Sequence, residues 1–185
     1  TARDQERERA AELLQRVITD FAGVTIQGFP VADQAAALLF EIENLTVGAL
    51  APEIEGEDDK GQRFKLSDYR GRPVLLVFWG DWCHGCHGLQ PVLAELAAAF
   101  EDKSIAILGV NTDDPPTARK VLAASPVSWR CWLDGSTSGP ITTLWNLHHF
   151  PTLYVLDKQG RIVSKNPSLG GLRPVLEEAL AAQGN

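Results

Sequence analysis

Residues 73–79 read Pro73-Val74-Leu75-Leu76-Val77-Phe78-Trp79, an apolar run of strand length with no polar side chain to turn toward water. A strand that is apolar on both sides must be covered on both sides, as the central strand of a parallel or mixed sheet is. Its β-branched and aromatic residues favour a strand over a buried helical segment of the same length. The chain after it supplies the cover. A helical pattern spans 86–100, interrupted by Pro91, and 105–110 reads as a second buried strand. Helix is expected over 116–124, strand over 129–133 and helix over 140–147. Residues 152–156 and 161–164 pair as a hairpin across Asp157-Lys158-Gln159-Gly160, and a last helix runs from Leu172 to Ala182. Strands alternating with helices and ending on a hairpin predict an α/β fold, a mixed sheet flanked by helices.

The segment before the sheet has a different texture. Leu13, Leu14, Val17, Ile18 and Phe21 form one stripe at helical period over 10–21, and the charged run Arg3–Arg9 reads as a solvated first turn or frayed end. A second stripe, Ala35, Leu38, Leu39, Ile42 and Leu45, predicts a helix over 32–44. Two glycines and Pro30 break the chain between them, at 23–30. Residues 1–47 are therefore expected as a helical hairpin extension, and 48–185 as the α/β domain. Within the latter, 52–54 and 62–66 read as a short hairpin around Asp58-Asp59-Lys60-Gly61.

Composition excludes several functions. Of 185 residues 44% are hydrophobic, enough for a core, and the formal net charge of −7 disfavours nucleic-acid binding. No run approaches the roughly 20 apolar residues that span a bilayer, so no membrane insertion is expected in this segment. There is no Met, even at position 1, so the chain reads as a piece of a longer product whose targeting segment is out of view.

Three cysteines are too few for a disulfide framework in a chain of this size. Cys83 and Cys86 stand in a Cys-x-x-Cys spacing, which on its own fits a redox pair, half a zinc site or, with His87, a haem-attachment motif. Position narrows the reading. The pair lies where the buried strand ends and a helix begins, and free amides at a helix N-terminus stabilise a thiolate. Cys83 is expected at the cap, exposed and with a lowered pKa, and Cys86 one turn inside, placed to resolve a mixed disulfide. Cys131, between Arg130 and Trp132, reads as a buried small hydrophobe. Trp129, Trp132 and Trp145 read as packing, whereas Trp79 and Trp82 flank the cysteines. Ser138 is expected to cap the helix at Pro140, and Asp113-Asp114-Pro115-Pro116 reads as a turn and cap.

The segment Phe78-Trp79-Gly80-Asp81-Trp82-Cys83-His84-Gly85-Cys86 resembles the active-site segment of thioredoxins, and Pro91 matches the proline that kinks the following helix. Phe150-Pro151-Thr152 resembles the family's cis-proline loop. Ala51-Pro52-Glu53-Ile54, Phe64–Gly71 and Gly109-Val110-Asn111-Thr112-Asp113 resemble TlpA/ResA-type and AhpC/TSA-like bacterial redoxins. The resemblance implies a thioredoxin fold and thiol–disulfide oxidoreductase activity, with Cys83, Cys86 and Pro151 catalytic. Trp82, His84, Gly85, Phe150 and Thr152 would form the substrate surface. It implies no cofactor beyond the dithiol and no metal. The partners would be a protein disulfide or small thiol and a redox partner protein, in an extracytoplasmic setting.

The chain also departs from the family. His84-Gly85 replaces the usual Gly-Pro, and Val77 and Leu89 stand where relatives carry a buried aspartate or glutamate. Asp81 and His87 are the candidates for proton transfer in their place, with His84 and water. An alternative use of the same residues is copper or zinc binding by Cys83, Cys86 and a histidine from His87, His148 or His149.

Overall fold

The computed structural model describes residues 2–100, 105–124 and 129–182. The buried run becomes strand β5, numbered in chain order, over Val74–Trp79, with all six residues buried. It lies at the centre of a five-stranded sheet of order β7-β6-β5-β8-β9. The other strands are β6 (Ala106–Asn111), β7 (Arg130–Leu133), β8 (Thr152–Leu156) and β9 (Ile162–Lys165). β5, β6 and β7 are parallel, whereas β8 runs antiparallel to β5 and β9 antiparallel to β8. This is the mixed sheet the pattern predicts.

Alternation along β5 divides the interior in two, because successive side chains point to opposite faces. Val74, Leu76 and Phe78 join one core cluster with Phe64, Trp132, Trp145 and Tyr154. Leu75, Val77 and Trp79 join the other, with Leu89, Leu93, Leu172 and Leu176. The second face is covered by helix α3 (His84–Ala99), α6 (Leu169–Ala181) and Leu122 of α4 (Pro115–Ala124). The first is covered by the short helix α5 (Pro140–Leu144) and by residues 45–66. Trp132 and Trp145 are fully buried, as packing residues should be.

Boundaries differ from the sequence reading in instructive places. α1 runs from Ala2 to Asp20, so the charged segment at 3–9 is helical and not frayed. Between α1 and α2 (Val31–Asn44), the break contains a minimal hairpin, β1 (Thr25–Ile26) with β2 (Phe29–Pro30). Gln27 and Gly28 both have positive φ, the pattern of a type I′ hairpin turn. β3 is Glu55–Glu57, not 52–54, pairing with β4 (Arg63–Lys65). Glu55-Gly56-Glu57 carries no apolar alternation to announce it, and Glu55 is held by Arg63 and Lys65. Helix α5 is not capped by Ser138. Its first amides, those of Ile141 and Thr142, donate to the buried Asp134 carboxylate at 2.8 and 2.9 Å.

Candidate functional site

Strand β5 delivers the chain to the site. Its register pairs Phe78 with Thr152 on one side and Trp79 with Asn111 on the other. The loop that leaves β5 is thus flanked by the residues before β8, which include Pro151, and by those just after β6, Thr112 and Asp113.

Cys83 is the N-cap of α3, and its sulfur accepts a hydrogen bond from the Cys86 amide at 3.2 Å. The Cys83 amide donates in turn to Gly80 O at 3.1 Å. Cys83 and Cys86 are joined in a disulfide, with Cα atoms 5.3 Å apart. The expectation of an exposed Cys83 is corrected: it is only 5% exposed, and Cys86 3%. The reason is that its sulfur turns inward to Cys86 and joins the core cluster against which Phe150 packs.

The surroundings meet around this disulfide. The exposed Trp82 ring packs edge-on against Phe150, with centroids 5.3 Å apart. A Cβ built on Gly85 would lie 3.4 Å from Pro151 Cδ, so the two residues face each other. The Phe150–Pro151 peptide is cis, and Thr152 Oγ1 donates to His149 O at 2.7 Å. His84 stands exposed at the first position of α3. His87 Nε2 lies 2.7 Å from Asp81 O and 3.7 Å from Asp81 Oδ1, which brings these two residues together at the mouth of the loop.

Asn111 at the end of β6 and the two residues after it, Thr112 and Asp113, form a clamp that sequence reasoning missed. Asp113, 7% exposed, accepts from the Asp81 amide and from Asn111 Nδ2, both at 2.8 Å. Thr112 donates from its amide and its hydroxyl to Trp79 O, at 2.9 and 3.1 Å. Its hydroxyl also accepts from Trp82 Nε1 at 3.3 Å. Space for this clamp requires a glycine at 80, where a Cβ would fall 2.3 Å from Trp82 Nε1 and 2.9 Å from Thr112 Oγ1. Of the turn read at Asp113–Pro116, only Asp114 acts as a cap, accepting from the Thr117 amide at 3.2 Å.

Beneath Cys86 lies a void of about 10 Å³, lined by Val77, Trp79, Leu89, Gln90, Leu93 and Trp129. Among the described residues, no carboxylate borders it. Cys131 is 1% exposed, and burial pushes its thiol up to about 12. Among the described residues, no three His, Cys, Asp or Glu side chains are placed to hold a metal ion together.

Comparison with known proteins agrees with this geometry. Residues 47–165 match the model of the AhpC/TSA family. The thiol-disulfide oxidoreductase ResA of Geobacillus kaustophilus is 31% identical over 119 residues, 64% of this chain and 67% of that protein. The thioredoxin domain of a thiol-disulfide oxidoreductase from Bacteroides vulgatus superposes with a TM-score of 0.67 at 29% identity, covering 74% of this chain and 99% of that one. A thiol:disulfide interchange protein from Bacteroides sp. gives 0.64 at 29% identity, over 74% of this chain and 91% of that one.

Proposed function

The chain belongs to the AhpC/TSA family and is a thiol–disulfide oxidoreductase, and we propose that Cys83 is its attacking cysteine and Cys86 its resolving one. The observation that carries this is the position of the disulfide, with Cys83 capping α3 and Cys86 one turn inside it. Once the pair is reduced, the free amides of a 16-residue helix favour a thiolate on Cys83 by about 0.3–1 kcal/mol. That thiolate attacks one sulfur of a substrate disulfide and expels the other as a thiolate. Cys86, deprotonated, then attacks Cys83 Sγ, releases the second substrate thiolate and restores the Cys83–Cys86 disulfide. Two electrons pass to the substrate, and a redox partner protein returns them. Run backwards, the same steps oxidise a dithiol.

The substrate, a protein disulfide or a small thiol, lies over Trp82, His84, Gly85 and the loop Phe150-Pro151-Thr152. The facing of Gly85 and Pro151 and the packing of Trp82 on Phe150 support this surface. With Val77 and Leu89 under Cys86, no carboxylate among the described residues is placed to take its proton from below. Asp81 and His87, in contact with each other on either side of the two cysteines in sequence, are the residues we propose for proton transfer. Resemblance to TlpA/ResA-type proteins supports an extracytoplasmic setting, and no described helix is long and apolar enough to cross a membrane.

A trapping experiment tests the roles. Cys86→Ser leaves the first attack intact and removes the resolving thiol, so substrates accumulate as mixed disulfides on Cys83 that dithiothreitol releases. Cys83→Ser should form none. Adducts found instead on Cys86 of the Cys83→Ser protein would reverse the two roles.

A further inference from the structure

We propose that the helical extension sets the position of the substrate loop through Glu41 of α2 and Asn146, making these two residues positioning residues for thiol–disulfide exchange. The inference rests on the substrate surface proposed above and adds to it the part of the chain before the family's own region begins.

The loop that carries Phe150 and Pro151 starts where α5 ends. The chain reverses at Asn146, whose φ of +45° is a backbone state that asparagine tolerates better than most residues. Its amide and that of Leu147 close this turn onto Thr143 O and Thr142 O. Its side chain, however, reaches out of the domain to α2. Asn146 Nδ2 donates to Glu41 Oε2 at 3.2 Å and to Ala37 O at 3.4 Å. With both acceptors on that side, Asn146 Oδ1 faces the loop, where it lies 3.0 Å from His148 Nε2. An amide oxygen only accepts, so His148 donates from Nε2. A continuous chain of hydrogen bonds thus leads from α2 to a residue three positions before Pro151.

Both ends of the chain are anchored. Glu41 Oε1 accepts from Lys165 at the end of β9, so one carboxylate spans the sheet and the loop. Helix α2 is seated by Leu45, 1% exposed in the core cluster, and by Phe40 packed against it. At the far end of the loop, Thr152 closes onto His149 O. Between these ties lie Leu147 and Phe150, both packed on the core, and Phe150 meets the Trp82 ring. A shift of Asn146 therefore has five residues in which to be absorbed before it reaches Thr152.

Three variants and two probes test this on the full chain. Asn146→Gly keeps the reversed backbone without strain and deletes the amide. Glu41→Ala deletes the acceptor, and Glu41→Gln keeps an oxygen for Asn146 while discharging the partner of Lys165. The reduced proteins are oxidised by insulin, whose disulfides must dock across the loop, and by 5,5′-dithiobis(2-nitrobenzoate), which is small enough to reach Cys83 directly. Asn146→Gly and Glu41→Ala should slow the insulin reaction about fivefold, with the small disulfide reacting as in the wild type. Glu41→Gln should stay within about twofold of wild type with both. Insulin rates unchanged in Asn146→Gly and Glu41→Ala would overturn the inference, as would Glu41→Gln falling as far as Glu41→Ala, or an equal loss with both probes. A wild type that reacts with neither probe would overturn the redox assignment and this inference together.

Discussion

Cys131 and Cys83 belong to one core cluster, yet only Cys83 caps a helix and is bonded to a second cysteine. Cys131 sits mid-strand, and burial raises its thiol to about 12. Its thiolate is thus disfavoured in the native protein, so the stability that comes from keeping it protonated is complete below about pH 8.5 and is lost as the pH rises toward the folded value. Reduced native protein treated with iodoacetamide at pH 8 should carry label on Cys83 and none on Cys131, and label on all three cysteines once unfolded. Native labelling of Cys131 at a comparable rate would contradict the burial argument. The Cys83–Cys86 disulfide was readable from sequence because its geometry is local: a spacing of three at the start of a helix. Asp113 was not, since it contacts Asp81 across 32 positions and looks like a turn residue until the register of β5 and β6 is known. The inward turn of Cys83 was missed for a related reason, because it follows from pairing with Cys86 and packing near Phe150.

Element types followed from periodicity, whereas element ends often depended on distant side chains. β5, read as 73–79 and found over Val74–Trp79, could be placed to within one residue because a continuous apolar run with β-branched and aromatic residues favours a buried strand. The start of α5 at Pro140 was read correctly but its cap was not, because the cap is Asp134, seven residues before Ile141 in sequence. Replacing Asp134 by Ala should cost about 1–2 kcal/mol in urea unfolding, since two helix amides lose their acceptor. Ser138→Ala should cost almost nothing, as Ser138 accepts from that helix only through its backbone carbonyl, which the substitution keeps. The opposite order of the two variants would restore the serine cap. The β1–β2 hairpin was hidden by its length, because two-residue strands show no alternation.

In the molecule as a whole, we propose a division at residue 47, with the helical extension docked on the redox domain. The family match beginning at 47 supports it. The seam is tighter than a linker. Gly48 N donates to Ile162 O at 2.7 Å, Ile162 N to Ala49 O at 2.9 Å, and Ala51 N to Gly160 O at 3.0 Å. Limited proteolysis should therefore cut at the exposed tip, 23–30, and spare 48–51; first cleavage at 48–51 would show a loose joint. Leu45, buried across the seam, lies on the extension side, so removing residues 1–46 should also open the core at a cost of about 2–5 kcal/mol. In the proposed mechanism Cys83 and Cys86 form one reversible two-electron couple. Equilibrating the protein with dithiothreitol redox buffers, alkylating it under denaturing conditions and weighing the cysteine peptides tests this. Cys83 and Cys86 should become labelled together in a single two-electron transition, with Cys131 a free thiol throughout. A Cys83–Cys86 disulfide that does not exchange with the buffer, or a disulfide containing Cys131, would contradict it.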